Sequence, residues 1–143
     1  MNSYRTLPEM FYDVINNNLD SNIFNYKVSE QWISLKGSQI KSSVNSIACG
    51  LKHLNINSKD KVAILSNTSY KWALCDYAIL CNGSTTVTVY PTLIENQIEF
   101  ILNDSETKII FVENEEQLIK INAIYTRCNH LIKIILLDDK PGS

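Results

Sequence analysis

Few residues in this chain have the types and spacing to do chemistry. Ser66-Asn67-Thr68 follows the apolar run Val62 to Leu65 and precedes an amphipathic stretch. Hydroxyls and helix N-terminal N–H groups would converge there, a combination that binds anions. Against a phosphate site, the segment has no glycine to let backbone close on the anion, and no lysine follows as in a P-loop. Capping of the next helix is the plainer role. A receiver-type site would need an acidic pair at this point, where Ser66 and Asn67 stand instead. Tyr90-Pro91-Thr92-Leu93 and Glu113-Asn114 follow two further apolar runs, and ligands of open α/β sheets bind beyond such strand ends.

Cys49 and His53 lie four apart and would share one helical face, yet two ligands are too few for zinc. His53 suits the negative end of a helix dipole, and Cys49 is expected in the core. Cys49, Cys75, Cys81 and Cys128 are dispersed without a CxxC, which predicts free thiols behaving as small apolar groups. His130 has no acidic or cysteine neighbour close in sequence and reads as a loop residue. Trp72, Tyr77 and Tyr90 are expected to pack. GxSxG elbows, GxGxxG turns and HExxH helices do not occur. No catalytic residue, metal ligand or cofactor-binding residue is therefore expected in this segment.

The elements that would position these loops follow from the hydrophobic pattern. Phe11, Val14, Ile15 and Leu19 predict a helix over 8–19, with Pro8 in its first turn. Two short extended segments, Ile23 to Val28 and Gln31 to Ile33, flank the turn Ser29-Glu30 and predict a hairpin. Ser34 is then a candidate N-cap for a long helix carrying Ile40, Val44, Ile47, Ala48, Leu51 and Leu54. From Lys61 onward, short Val- and Ile-rich runs alternate with amphipathic stretches: 62–65, 69–81, 85–90, 94–102, 108–112, 115–127 and 132–137. Runs without in/out alternation suit strands buried on both faces, and each spacer is long enough for a crossover helix. The predicted fold is α/β: a mostly parallel sheet with helices on both faces, Rossmann-like and doubly wound, behind an N-terminal helix and a short β-hairpin. Gly83 is placed to end the second helix in the left-handed conformation, Asn103-Asp104 to close the third, and Asn114 to cap the fourth.

Bulk properties narrow the function classes. The 143 residues fit one domain able to bury a core. A formal charge of -2 without a cationic stripe gives no footprint for nucleic acid. No apolar run approaches the roughly 20 residues that span a bilayer, and MNSYRTLPEM lacks the apolar core of a signal peptide. A cytoplasmic protein is expected, with peripheral membrane attachment left open.

Residues Thr6 to Asp139 resemble the start of long-chain fatty-acid CoA ligases of the AMP-forming adenylating superfamily. TLPEMF is similar to the family's first helix, and WISLKGSQIKSSVNSIACGLKHLNINSKDKVAIL to its aromatic-rich strand, long helix and return strand. The more specific stretch is SNTSYKWALCDYAILCNGSTTVTVYPTLIENQIEFILNDSETKIIFVENEEQLIKI, in which Trp72, Asp76, Tyr77, Gly83, Tyr90, Pro91, Thr92, Ile101, Asn103, Asp104 and Ser105 fall on family positions. LIKIILLDD, ending at Asp139, suits the long-chain branch. Ser84 stands where relatives carry a small aliphatic residue, and Thr88 where proline is common.

That resemblance implies a two-step reaction in the whole enzyme. A fatty-acid carboxylate attacks the α-phosphate of ATP, with Mg²⁺, and displaces pyrophosphate; the CoA thiol then attacks the acyl-adenylate and displaces AMP. Such a step needs cations and N–H donors around the departing pyrophosphate. In the family these come from a phosphate loop, an adenine and ribose segment and a lysine on a C-terminal domain, and none of these motifs occurs in the 143 residues. Residues 1–143 are accordingly expected to be the N-terminal part of the large adenylating domain, inactive alone and binding no cofactor. Their partner would be the remainder of the enzyme, and exposed apolar faces would favour self-association. Tyr90, Pro91 and Thr92 are the candidate substrate-lining residues. The competing reading is a stand-alone Rossmann-like binding or interaction module without catalysis.

Overall fold

The computed structural model describes residues 3–138. Helix α1 (Leu7–Asn16) is followed by strands β1 (Asn22–Val28) and β2 (Gln31–Lys36) and by helix α2 (Gly37–His53). Strands and helices then alternate: β3 (Lys61–Leu65), α3 (Tyr70–Cys81), β4 (Thr85–Val89), α4 (Glu95–Asp104), β5 (Ile109–Val112), α5 (Glu115–Ile124) and β6 (Lys133–Leu136). A single 3-10 turn, Tyr125–Arg127, prolongs α5.

The second sheet has the order β4-β3-β5-β6, and every neighbouring pair is parallel. The chain steps from β3 outward to β4, then crosses back past β3 to β5 and on to β6. With right-handed crossovers, that reversal puts α3 on one face and α4 and α5 on the other. The core divides accordingly. Val62 and Ile64 of β3 pack with Ile109, Phe111, Cys75 and Ile79 on the α3 side. Ala63 and Leu65 pack with Ile98, Leu102, Ile110 and Ile121 on the α4 and α5 side. Both faces of β3 are dry, so its sequence runs apolar without alternation.

A third cluster joins the N-terminal elements to this sheet: Phe11 and Ile15 of α1, Ile40 and Val44 of α2, and Leu74 and Ala78 of α3. Phe11 stacks on Tyr77 at 4.6 Å between centroids, and Tyr26 of the hairpin stacks on Tyr70 at 4.1 Å. Two short strands cannot stand alone, and the Tyr26–Tyr70 contact anchors them to α3, as Phe11–Tyr77 anchors α1.

Several boundaries differ from the sequence expectation. The first helix ends at Asn16, not near 19, and Asn17–Asp20 form a turn. Ser34 does not cap α2. Its hydroxyl donates to Asn25 Oδ1 at 2.6 Å across the hairpin, the strand continues to Lys36, and Gln39 accepts the Lys36 N–H at 2.9 Å to start the helix. The long helix is continuous, but Cys49 is exposed rather than in the core. Helix α5 stops at Ile124, three residues before the expected 127. Gly83 does occupy the left-handed region, with φ 79°, and Asn114 does cap α5, accepting the Gln117 N–H at 3.1 Å. Asp139 lies outside the described residues.

Candidate functional site

Parallel strands deliver the loops 66–69, 90–94 and 113–114 to one edge of the sheet. Because strand order reverses at β3, the crevice between the carboxyl ends of β3 and β5 is the topological switch point, where ligands of such sheets bind. In this chain the crevice is bridged from within. Asn67 donates both its backbone N–H and its side-chain amide to Glu113 Oε2, each at 2.9 Å. The Glu113 N–H in turn donates to Leu65 O at 3.0 Å. The buried Ser66 hydroxyl donates to Asn67 O at 2.8 Å, and the helix cap is Ser69, accepting the Trp72 N–H at 3.2 Å. Donors that a phosphate would need are already held by a carboxylate, whose charge would repel it. The anion-binding reading of Ser66 to Thr68 does not fit this geometry.

Beside the bridge lies an open cleft of about 360 Å³ between the ends of β3 and β4, lined by Ser66, Thr68, Trp72, Thr88, Tyr90 and Pro91 among others. Of the three nominated residues, Tyr90 and Pro91 border the cleft; Thr92 is exposed and outside its lining. Tyr90 is 73% exposed, so it does not pack as expected, whereas Tyr77 does. Lys120 of α5 fixes the loop from the other side, donating to Pro91 O at 2.6 Å and to Leu93 O at 3.3 Å. The cleft offers hydroxyls, an indole and a phenol. Groups of these kinds are suited to hydrogen bonding and stacking, and none is a proton acceptor of the kind hydrolytic or transfer chemistry uses at neutral pH.

Sequence reasoning missed three of these features. The Asn67–Glu113 bridge spans 46 positions, and the reach of Lys120 spans 29. Ser84, noted only as a departure from the family, is buried and donates to Asn57 O at 3.2 Å while accepting from Asn82 at 2.8 Å. Only the third carried a signal, a hydroxyl at an aliphatic position. Among the described residues, no group of three or more His, Cys, Asp or Glu is placed to hold a metal ion, and no helix is long and apolar enough to cross a membrane. His53 and His130 are both exposed.

Residues 13–143 match the model of the AMP-binding enzyme family. The chain belongs to that family. Long-chain fatty-acid CoA ligases are among its relatives. It is 32% identical over 93 residues to the long-chain-fatty-acid–CoA ligase FadD15 of Mycobacterium tuberculosis, covering 65% of this chain and 16% of that protein. Over 114 residues it is 32% identical to fatty acyl-CoA synthetase A of Dictyostelium discoideum, covering 73% and 17% respectively. The human long-chain-fatty-acid–CoA ligase ACSBG1 is 24% identical over 136 residues, which is 95% of this chain and 19% of that one. The fold recurs in the anthranilate CoA ligase AuaEII, solved with anthranoyl-AMP, at TM-score 0.83, 18% identity and 96% coverage of this chain against 26% of that one. It recurs also in a Mycobacterium tuberculosis fatty acyl CoA synthetase, at TM-score 0.80, 20% identity and 93% against 26% coverage. The chain thus spans between 16% and 19% of the length of those curated relatives.

Proposed function

We propose that residues 1–143 form the opening scaffold of the large adenylating domain of a long-chain fatty-acid CoA ligase, and that the phosphate loop and the C-terminal domain lie outside them. The observation that carries this reading is the bridged switch point. The crevice where a nucleotide would sit on this sheet is bridged by the Asn67–Glu113 contact, which supports a reading in which other residues grip ATP. In the whole ligase, a fatty-acid oxygen attacks the α-phosphorus of ATP and pyrophosphate departs. The CoA sulfur then attacks the acyl carbon, and AMP leaves with the former carboxylate oxygen. ATP, Mg²⁺, fatty acid and CoA are ligands of that longer protein, which works in the cytoplasm. This segment's own contribution is mechanical: a sheet end on which Tyr90 and Pro91 border the substrate pocket, with Thr92 next to them in the same loop but outside the cleft's lining.

Support also comes from faces left uncovered. Ile134 and Leu136 of the outer strand β6 are only partly buried, and Ile119 and Ile132 are 69% and 57% exposed. The remainder of the ligase is the natural cover for such an edge, and in isolation the same edge favours self-association. The test is ATP–pyrophosphate exchange with palmitate on the purified 143-residue chain. No exchange is expected; exchange above a no-enzyme control would overturn the scaffold reading. Saturable binding of a small ligand without exchange would favour a stand-alone binding module instead.

A further inference from the structure

Cys49 and Cys81 line one cleft of about 370 Å³ between the ends of α2 and α3, with Lys52, Ile56 and Asn82 in its walls. Cys49 is exposed and Cys81 is partly buried. A shared neighbour relates the two thiols. The Tyr12 hydroxyl donates to Asn45 Oδ1 at 2.8 Å, and it is also in hydrogen-bonding reach of the Cys81 sulfur. Asn45 and Cys49 are four apart on α2, hence on one face and about 6 Å apart along its axis. Cys81 is therefore beside the Tyr12 hydroxyl, and Cys49 lies one helical turn beyond that hydroxyl's Asn45 partner.

We propose that Cys49 and Cys81 form a peroxide-responsive thiol pair whose disulfide staples α2 to α3. Hydrogen peroxide is the oxidant. The Cys49 sulfur attacks one peroxide oxygen, the O–O bond breaks, and sulfenic acid and water form. The Cys81 sulfur then attacks the Cys49 sulfur, the S–OH bond breaks, a second water leaves, and the disulfide remains. Two thiols lose two electrons and two protons in total, and one peroxide becomes two waters.

The assignment of roles follows from exposure. Cys49 is exposed and opens on the cleft that Lys52 also lines, so it meets the oxidant first. Burial holds the Cys81 thiol above its ordinary range, with the Tyr12 hydrogen bond pulling the other way, which fits a thiol that resolves rather than initiates. Cys75 and Cys128 are spectators: both are buried away from this cleft, and burial pushes the Cys75 thiol up to about 12. In a reducing compartment such a bond is transient and reports on oxidant, where a structural disulfide would not form.

The full chain, treated with a small excess of hydrogen peroxide and quenched with N-ethylmaleimide, is mapped by mass spectrometry without reduction. The expected product is an intramolecular Cys49–Cys81 peptide pair, two hydrogens lighter than the free thiols and reversed by dithiothreitol. Its melting temperature should rise by roughly 10 °C, the order expected for closing a loop of this length. Cys81→Ser should leave a Cys49 sulfenic acid that dimedone traps, and Cys75→Ser should keep the cross-link. Sulfinic or sulfonic acid at Cys49 with no cross-link in the wild-type chain, or a bond to any other cysteine, would overturn the proposal. Should Cys81→Ser fail to fold by circular dichroism, the wild-type peptide map decides the matter alone.

Discussion

The same substitution at two glycines of α2 should change stability in opposite directions. At Gly37, the first residue of the helix, a β-carbon would stand 2.3 Å from Asn18 O, 2.9 Å from Asn18 C and 3.2 Å from Ile23 Cδ1. Ordinary carbon–oxygen contact is near 3.3 Å, so the overlap is about 1 Å, and it falls on backbone that no rotamer change can relieve. Relief requires the helix start to move off the turn behind α1. That turn is stitched to it by Gly37 N–H to Ser21 O at 3.0 Å and Ser38 N–H to Leu19 O at 2.9 Å. Overpacking costs about 1–3 kcal/mol, and each weakened hydrogen bond about 1 kcal/mol more. The gain in helix propensity from glycine to alanine returns at most about 1 kcal/mol. Gly37→Ala should therefore destabilise by about 2 kcal/mol and lower Tm by roughly 5–10 °C. At Gly50, in the same helix, a β-carbon meets nothing within 4 Å, so Gly50→Ala should stabilise by about 0.5–1 kcal/mol. Urea titration followed by the fluorescence of Trp32 and Trp72 measures both. If Gly37→Ala is as stable as wild type, the α1–α2 junction is not packed as described, and the reasoning fails.

Three further outcomes rest on local features. Gln117 is buried and its Oε1 has no hydrogen-bond partner, so Gln117→Met should stabilise by about 1 kcal/mol in the same titration; destabilisation would mean the oxygen is satisfied. Ser29 and Glu30 of the hairpin turn both have positive φ, 44° and 68°, the type I′ geometry that favours Asn-Gly. Ser29→Asn combined with Glu30→Gly should raise Tm by a few degrees, by relieving roughly 1 kcal/mol of backbone strain, and a lower Tm would count against that turn. Lys108 foremost, at 2.9 Å, and then the Asn57 N–H hold the Asp60 carboxyl below its usual range. A depressed folded value contributes stability that is present above the unfolded pKa, near 4, and lost as pH falls through the folded one. Asp60→Asn should therefore reduce the loss of stability on acidification below about pH 4; an unchanged acid limb would exclude that contribution.

What was legible in the sequence was what depends on neighbours in sequence. Lys61 to Leu65 reads as a strand buried on both faces because Val62 and Ile64 feed one core and Ala63 and Leu65 the other. Gly83 and Asn114 read correctly because a left-handed cap and a side-chain N-cap are local chemistry. Ser34 misled for the converse reason: its partner, Asn25, lies across the hairpin, and register with a second strand overrode a local capping preference. Cys49 misled because apolar context is not helical phase. At 100° per residue it sits about 140° from Val44 and about 160° from Leu51, both of which face inward. In the candidate site, the loops could be located from the strand ends, but the Glu113 carboxylate that fills the switch point could not, since nothing near Asn67 in sequence announces a partner beyond β4.

That contact between Asn67 and Glu113 bears on what any visitor to this end of the sheet would encounter. Two loops that in an unbridged fold would wait for a guest to immobilise them are immobilised by the polypeptide itself, so the ordering cost falls on folding and not on association. A surface of this kind would discriminate by a shape already set in folding.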